Sequence, residues 1–549
     1  MRTYGELTLR EGSWVMMGIA PHVALRLKQL FPRVPKSQTD TFVFPHDLMH
    51  CADLAWFISR YPLRMSPADA ATLAAGQGLF EQQQASLEEI LRPDYAPTRR
   101  AGLRPGQTLR PYQGQAIDLV LARRSLLLGD DVGLGKTYQA AGMMLDPAAR
   151  PAAVVVQTHL PEQWGEKLAQ FTTLSTHLIR GTRPYNLPPA DVYVFKYSQL
   201  LGWIDTFSDG FFKSVTFDEI QELRTGGNSG KGRAAQELAN YADVRLGLSA
   251  TPIYNFGAEI WNIMQAIEPS ILGSHADFLR EWTDGDKRVK DPKALGTFLR
   301  EQHVFLRRTK RDVGQQMPPL NTIIEEVDAD QQALRSVETL ARQLAMKTTS
   351  GSFFERGQAG RELDILVRQA TGIGKARHVA NYCRLLLDAD MPVMLMGWHR
   401  SVYEIWLREL AEFSPVMYTG SETARQKADA KNAFLRGDTN LFIMSLRSGA
   451  GLDGLQRRCS TVVFGELDWS PQVHQQVIGR LLREGQEEQV TAIYLNSDDG
   501  SDPPMVELLG LKASQASGII DPMAPLSIQH TDKRRIQALA EQFLASRAA

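Results

Sequence analysis

The sequence predicts an α/β protein with two tandem parallel-sheet lobes, a helical insertion between them and an N-terminal accessory domain. In two regions, short and continuously apolar segments alternate with helical ones, as is typical of parallel strands buried on both faces. Between about residue 260 and residue 370, charged sequence with a helical pattern replaces this alternation. At roughly 100 to 200 residues per domain, 549 residues suffice for three or four folded units.

Residues 1–97 carry alternating and helical apolar patterns and end in the segment LRPDYAP at 91–97, whose prolines are typical of a linker. Strands of the first lobe are predicted at 125–128, 153–156, 192–195 and 214–217. Helical sequence at 331–347 belongs to the insertion. Strands of the second lobe are predicted at 393–396, 441–444, 461–464 and 491–494, and a last helix at 533–545. We therefore expect an accessory domain at 1–97, a first lobe at 101–265, a helical insertion and brace at 266–370, a second lobe at 371–500 and a tail with a helix at 501–549.

The composition argues against several classes of protein. No apolar run approaches the roughly 18 residues needed to cross a bilayer, so an integral membrane protein is not expected. The first residues lack a basic segment followed by an apolar one, so secretion is not expected either. Cys51, Cys383 and Cys459 lie far apart, which argues against a disulfide framework or a zinc ribbon and fits a reducing cytoplasm. We expect a cytoplasmic location in a prokaryote or a virus-infected host.

The charge balance limits how nucleic acid could bind. The chain has 61 basic and 62 acidic side chains, a net charge of -1, so any such binding must use local basic clusters. The candidate clusters are Arg99 and Arg100 with Arg104 and Arg110, the run 307–311, and the run 533–535. A metal site formed by His22, His46, His50 and Cys51 is not expected, because their spacing is irregular.

A phosphate-binding loop is predicted at residues 129–137, which read GDDVGLGKT between an apolar strand and a helix. Gly133 and Gly135 allow backbone amides to turn toward phosphate oxygens, and the start of the helix adds partial positive charge. Lys136 can reach the β- and γ-phosphates, and the Thr137 hydroxyl can ligate Mg²⁺. ATP and Mg²⁺ are therefore the expected cofactors.

Two adjacent acids follow a predicted strand about eighty residues further on. Asp218 can hold the Mg²⁺ shell while Glu219 polarises the attacking water, as nucleotide hydrolysis requires. The pair alone is a weak signal, since Asp-Glu pairs at loop starts are common. Together with the phosphate loop it indicates an ATP-hydrolysing site.

These motifs, in this order, resemble those of the Swi/Snf-type ATPases of helicase superfamily two over roughly residues 105 to 495. In that family two RecA-like lobes carry the motifs. The first-lobe matches are LRPYQ at 109–113, DDVGLGKT at 130–137, VVQ at 155–157 with Gln163 and Trp164, DEIQ at 218–221 and LSATPIYN at 248–255. The resemblance places Gln113 on the adenine side and residues 155–157 at the DNA backbone. It also explains Asp130, where a glycine is otherwise usual, and puts Gln221 in the place of a histidine.

The resemblance continues in the insertion and brace and in the second lobe. The matches are FLRRTKRDV at 305–313, a segment that braces the lobes in this family, GWHR at 397–400, SLRSGAGLDGLQ at 445–456, DWSP at 468–471 and QVIGRLLREGQ at 476–486. The family's roles, carried over, make Gln476 a nucleotide-binding residue and direct Arg480 and Arg483 at the γ-phosphate. Residues three apart lie on one face of a helix, so both arginines can point the same way. Gly454 stands where asparagine is frequent, and Leu482 where histidine is frequent.

Three functions are compatible with these motifs. The first is an ATP-driven translocase on duplex or branched DNA, binding without sequence preference and acting as a monomer. The second is a strand-separating helicase on DNA or RNA, which shares every ATPase motif. The third is an ATP-sensing DNA-binding scaffold without turnover, which the joint presence of Lys136, Asp218, Glu219, Arg480 and Arg483 disfavours. Residues 12–28 are weakly similar to accessory regions that precede enzymes of the annealing-helicase kind.

Overall fold

The structure is a computed structural model that describes residues 3–250, 252–253, 257–284, 288–314, 318–350, 353–446, 452 and 454–506. The chain divides into two compact units. The first comprises Met1–Gly129 and Gly135–Leu306, and the second comprises Asp130–Leu134 and the chain from Arg307 onward. The helix expected at 533–545 and the basic run at 533–535 lie outside the described residues. Within the described part of the chain, no helix combines the length and the apolarity needed to cross a bilayer.

A three-stranded antiparallel sheet with helices forms the N-terminal part of the first unit. Its elements are β1 (Glu6–Arg10), β2 (Ser13–Met17), α1 (Pro21–Leu30), β3 (Thr41–Pro45), α2 (Leu48–Arg60) and α3 (Pro67–Ile90). Trp14 and Met16 of β2, like Phe42 and Phe44 of β3, are buried while their neighbours are more exposed, because alternate side chains of a strand face opposite sides. The buried side chains pack on α1 and α2 as one core.

A seven-stranded parallel sheet forms the rest of the first unit. Its strands are β4 (Ser125–Leu128), β5 (Ala152–Val156), β6 (Thr176–Leu178), β7 (Val192–Lys196), β8 (Ser214–Asp218), β9 (Val244–Leu248) and β10 (Phe305–Leu306), in the order β10-β4-β9-β8-β5-β7-β6. The helices are α4 (Pro111–Arg123), α5 (Lys136–Met144), α6 (Pro161–Phe171), α7 (Leu200–Trp203), α8 (Gly230–Asn240), α9 (Glu259–Met264), α10 (His275–Trp282) and α11 (Pro292–Glu301). The four predicted strands correspond to β4, β5, β7 and β8. All residues of β4 and β5 are buried, as expected for strands covered on both faces.

A six-stranded parallel sheet forms the second unit. Its strands are β11 (Leu320–Glu326), β12 (Val393–Gly397), β13 (Val416–Tyr418), β14 (Leu441–Ser445), β15 (Thr461–Phe464) and β16 (Val490–Asn496), in the order β11-β16-β15-β12-β14-β13. The helices are α12 (Gln331–Ser350), α13 (Phe353–Asp388), α14 (Arg400–Glu409), α15 (Ala424–Arg436) and α16 (Pro471–Leu481). The predicted fold class, two parallel-sheet α/β lobes preceded by an accessory N-terminal part, is confirmed.

Short 3-10 helices connect some of these elements, at Pro147–Ala149, Ile204–Asp209, Ile220–Leu223, Gly226–Asn228, Ala411–Phe413 and Leu455–Arg457. Candidate site residues follow the carboxyl ends of β4, β5 and β8. Because all strands of this sheet run parallel, these ends lie at one edge, which is where α/β sheets bind ligands.

Candidate active site

The phosphate loop connects β4 to α5. Gly133 and Gly135 have φ angles of 94° and 77°, in the left-handed region where only glycine is unstrained. Gly135 precedes the helix, so Lys136 and Thr137 are its first two residues. The first N–H groups of a helix have no partner within it and attract anions. The backbone of this segment therefore has the form of a phosphate site.

Gln113, the residue expected on the adenine side, lies against this loop. It is the third residue of α4, and its Oε1 accepts a hydrogen bond from the Arg110 backbone N–H at 2.9 Å. A Cβ atom added at Gly135 would lie 2.5 Å from Gln113 Nε2, so the end of the Gln113 side chain lies close to this glycine. The structure thus brings together two of the predicted nucleotide-binding residues.

Asp218 ends β8 and is held by two aromatic side chains. Trp164 Nε1 donates a hydrogen bond to Asp218 Oδ2 at 2.8 Å, and the Tyr197 hydroxyl donates to the Asp218 carbonyl oxygen at 2.9 Å. Burial raises the pKa of the Asp218 carboxyl above its ordinary value, while the Trp164 hydrogen bond and the charges of Lys136 and Lys167 act in the opposite direction. Lys136 therefore lies close enough to Asp218 for their charges to interact.

Glu219 adopts a left-handed backbone conformation, with φ at 51°. Such a conformation in a residue other than glycine is strained and often occurs at functional positions. Its Oε2 accepts a hydrogen bond from Gln221 Nε2 at 2.6 Å. Gln221, which stands in the place of the family's histidine, thus orients the carboxylate expected to activate water.

Glu222 links this acidic segment to the strand end expected to contact DNA. Gln157, directly after β5, donates from Nε2 to Glu222 Oε1 at 3.3 Å. Lys231 Nζ donates to Glu222 Oε2 at 2.6 Å. Sequence reasoning missed Glu222, because an acid following DEIQ has no motif of its own.

Loop residues Asp130 and Asp131 pair with the RRTK segment inside the second unit. Arg308 Nη2 donates to Asp130 Oδ2 at 2.5 Å, and Arg307 Nη2 donates to Asp131 Oδ1 at 2.8 Å. Asp130 is completely buried. A residue without a side chain could not form this ion pair, which accounts for aspartate where glycine is otherwise usual. The sequence shows that departure and, far along the chain, the basic run at 307–311, but nothing in it connects the two.

The same unit holds the predicted arginines. Arg480 lies in the last turn of α16 and donates from Nη1 to the Leu452 carbonyl oxygen at 3.2 Å. The expectation that Arg480 and Arg483 share one helical face is wrong, because α16 ends at Leu481 and Leu482 has a non-helical ψ of 73°. Arg483 Nε instead turns back to donate to the Gly479 carbonyl oxygen at 3.0 Å.

Residues of the phosphate loop lie next to these arginines within the second unit. A Cβ atom added at Gly133 would lie 3.5 Å from Arg483 Cβ, and one added at Gly479 would lie 3.2 Å from Val132 Cβ. Lys310 Nζ donates a hydrogen bond to the Leu482 carbonyl oxygen. Gln476 lies on α16, one turn before Arg480.

Two motifs extend beyond the described residues. Residues 251, 254 and 255 of the LSATPIYN motif, and residues 447–451 and 453 of the Gly-rich motif, lie outside them. In the GWHR motif, Glu466 Oε2 accepts the backbone N–H groups of Trp398 and His399 at 2.6 and 2.9 Å. Its other carboxylate oxygen, Oε1, lies 2.6 Å from His399 Nδ1. Glu466, which sequence reasoning also missed, therefore fixes this strand end.

Two arginines of the basic cluster at 99–110 form contacts within the first unit. Arg100 forms ion pairs with Asp118 and Asp146. Arg104 Nε donates to the carbonyl oxygens of Ala169 and Thr172, both at 3.0 Å. Arg100 and Arg104 thus stabilise the fold of the first unit.

A family comparison agrees with these site features. The model of the SNF2-related domain matches residues 52–372, more than half of the 549 residues. The chain belongs to the SNF2-related family. The resemblance stated from the motifs is thereby confirmed at the level of the family.

Curated relatives of this SNF2-related chain are longer than it is. The human DNA annealing helicase and endonuclease ZRANB3 is 25% identical over 434 residues, which cover 74% of this chain and 40% of that protein. The putative ATP-dependent helicase/translocase YwqA of Bacillus subtilis (strain 168) is 24% identical over 463 residues, which cover 74% of this chain and 48% of that protein. The chain thus spans less than half the length of either relative.

A solved structure is similar to most of the SNF2-related chain. The Sulfolobus solfataricus SWI2/SNF2 ATPase core in complex with dsDNA is 19% identical and covers 79% of this chain and 100% of that one. Its TM-score is 0.39.

Proposed function

We propose that this chain is an ATP-dependent DNA translocase that moves along duplex or branched DNA. One observation carries the proposal. Lys136 opens the helix after a glycine loop of phosphate-binding form, and its charge acts on the half-buried carboxyl of Asp218. A cation for phosphate and a carboxylate for Mg²⁺ side by side are the minimum for nucleotide hydrolysis.

The residues present fit ATP and Mg²⁺. Gln113 and the glycines 133 and 135 would hold the nucleotide, with Lys136 against its β- and γ-phosphates. The Thr137 hydroxyl and the Asp218 carboxylate are oxygen donors of the kind that Mg²⁺ prefers. Bound Mg²⁺ would neutralise charge on the transferred phosphoryl group.

The remaining catalytic roles fall to side chains. Glu219, oriented by Gln221, would position and deprotonate the attacking water. Arg480 and Arg483 would add positive charge as negative charge develops on the γ-phosphate, with Gln476 assisting nucleotide binding.

The contact between Gln157 and Glu222 supports dependence of hydrolysis on DNA. Gln157 lies where the family motif touches the DNA backbone, and Glu222 lies three residues after Glu219. A shift of Gln157 on binding DNA would therefore be transmitted to the segment that holds the catalytic acid. With a net charge of -1, binding would use phosphates through local basic groups, without sequence preference and as a monomer.

The test is steady-state ATP hydrolysis with matched duplex DNA, forked DNA, single-stranded DNA and duplex RNA at two salt concentrations. We expect stimulation by duplex or forked DNA of any sequence, lost steeply as salt rises. Duplex RNA should stimulate poorly, because A-form geometry places the phosphates differently. A preference for RNA, or indifference to every polymer, would contradict the translocase proposal.

A second pair of assays separates translocation from strand separation. The enzyme should displace the third strand of a DNA triplex, because translocation along the duplex is sufficient for that. It should not unwind a duplex bearing a single-stranded tail. Efficient unwinding without triplex displacement would favour the strand-separating helicase instead.

A further inference from the structure

Tyr138 is an exposed aromatic residue beside the phosphate loop. It follows Lys136 and Thr137 in the first turn of α5, and 36% of its surface is exposed. The next six residues of the helix, 139–144, are all buried. The Tyr138 ring is therefore exposed at the start of a helix whose following residues are buried.

The position of the ring is fixed by its neighbours. Its centroid lies 4.8 Å from that of Phe171, at an interplanar angle of 55°, so Phe171 supports one side. A Cβ atom added at Gly135 would lie 3.3 Å from Tyr138 Cδ2 and 2.5 Å from Gln113 Nε2. The Tyr138 ring and the Gln113 carboxamide thus flank the same glycine.

This arrangement suits a heterocyclic base. Every nucleobase has a π-face that stacks on aromatic rings, and its polar edge forms hydrogen bonds with carboxamides. Tyr138 and Lys136 both belong to the first turn of α5, so a base on Tyr138 and phosphates at Lys136 would come from the same nucleotide. No charged group is needed for such recognition.

We propose that Tyr138 is the base-stacking residue of the nucleotide site and favours purine over pyrimidine nucleotides. A purine presents two fused rings and buries more apolar surface against the tyrosine than a pyrimidine does. This proposal rests on the proposed function, since it needs Lys136 and the loop to hold the phosphates of the same molecule.

The experiment is calorimetric binding of ATP, CTP and inorganic tripolyphosphate, which has no base, to the full chain and three variants. Tyr138→Ala should weaken ATP binding at least about fivefold, as loss of a stacked ring does elsewhere. The same change should weaken CTP binding by a smaller factor and leave the affinity for tripolyphosphate unchanged. Tyr138→Phe should bind ATP like the wild type, because it keeps the ring.

Tyr241→Ala is the matched control. Tyr241 is 45% exposed at the end of α8, in the same unit, and its replacement should leave all three affinities unchanged. Unchanged ATP affinity in Tyr138→Ala would overturn the proposal. Equal weakening of ATP and tripolyphosphate would overturn it too, because the loop rather than the base contact would then be disturbed.

Binding separates this proposal from the proposed function. If the wild type binds ATP but never hydrolyses it, the translocase proposal fails while the comparison of Tyr138 variants still decides the stacking role. If the wild type binds tripolyphosphate and ATP with equal affinity, the base contributes nothing to binding. That result overturns the stacking role of Tyr138 and leaves the translocase proposal standing.

Discussion

Asp130 and Arg308 form a buried ion pair within the second unit. Asp130 Oδ1 accepts hydrogen bonds from the backbone N–H and Nε of Arg308, at 3.0 and 3.1 Å, and Oδ2 accepts from Nη2 at 2.5 Å. Asp130 is fully buried and Arg308 is 8% exposed. Neither charge can return to water without unfolding the loop.

Replacing Arg308 with methionine should destabilise the protein by about 3 to 5 kcal/mol, because the Asp130 charge would remain buried without its partner. The matched control is Arg307→Met, whose partner Asp131 has a side chain 29% exposed. Arg307→Met should lower the free energy of unfolding by about 1 kcal/mol or less. Urea unfolding of the two variants checks the difference, and equal costs would contradict a special role for the buried pair.

Lys136→Ala and Glu219→Gln should each abolish DNA-stimulated ATP hydrolysis, but only Glu219→Gln should still bind ATP. The first removes a partner of the phosphates, and the second removes only the water-activating carboxylate. Turnover and calorimetric ATP binding are measured on both variants. Turnover near the wild-type rate in either one is incompatible with the active-site assignment.

Arg480→Ala should lower turnover by at least about a thousandfold while ATP affinity stays within about tenfold, since an arginine of this kind acts mainly as charge builds on the γ-phosphate. Arg436→Ala serves as control, because Arg436 is exposed and pairs with Asp438, two residues away. Turnover at saturating ATP and the ATP dissociation constant are measured together. Collapsed affinity with preserved turnover would make Arg480 a ground-state ligand instead.

His474 on α16 should make the second unit less stable in acid. Burial lowers the pKa of its imidazole from 6.5 to about 4, helped by the charge of Arg368. As pH falls from 6.5 toward 4, the unfolded chain binds a proton that the folded one does not. Stability fully present above pH 6.5 is therefore lost at up to about 1.4 kcal/mol per pH unit.

His474→Gln should reduce this acid sensitivity. The neutral His474 Nε2 accepts a hydrogen bond from the Asp468 backbone N–H at 3.2 Å, and a glutamine oxygen can replace that acceptor without titrating. Urea unfolding at about pH 7 and about pH 5 is compared for wild type and variant. The same loss of stability in both would assign the acid sensitivity to other groups.

The phosphate loop and the acids could be predicted because their chemistry dictates residue types at short spacing. Gly133, Gly135 and Lys136 need only the adjacent strand and helix, which the apolar pattern indicates. The same holds for the position of Asp218 and Glu219 at a strand end. Local rules of this kind require no knowledge of tertiary contacts.

Long-range partners could not be predicted in the same way. Arg308 is 178 residues from Asp130, and Glu466 is 67 residues from His399, so no periodicity or spacing connects either pair. The end of α16 before Arg483 was missed for a different reason. The apolar periodicity predicts a helix that continues through Leu482. In the structure the backbone leaves the helical conformation at Leu482. Gly485, three residues later, has a φ of 87°, which is typical of the end of a helix.

Gln221, which holds Glu219 by a hydrogen bond of 2.6 Å, stands where the family commonly has histidine. An imidazole titrates near neutrality, so a histidine there changes its charge and donor capacity with small shifts in acidity. A carboxamide has no ionisable proton, and its N–H donors are the same in weak acid and weak base. The donor that orients the Glu219 carboxylate in this chain therefore keeps the same charge on either side of neutral pH.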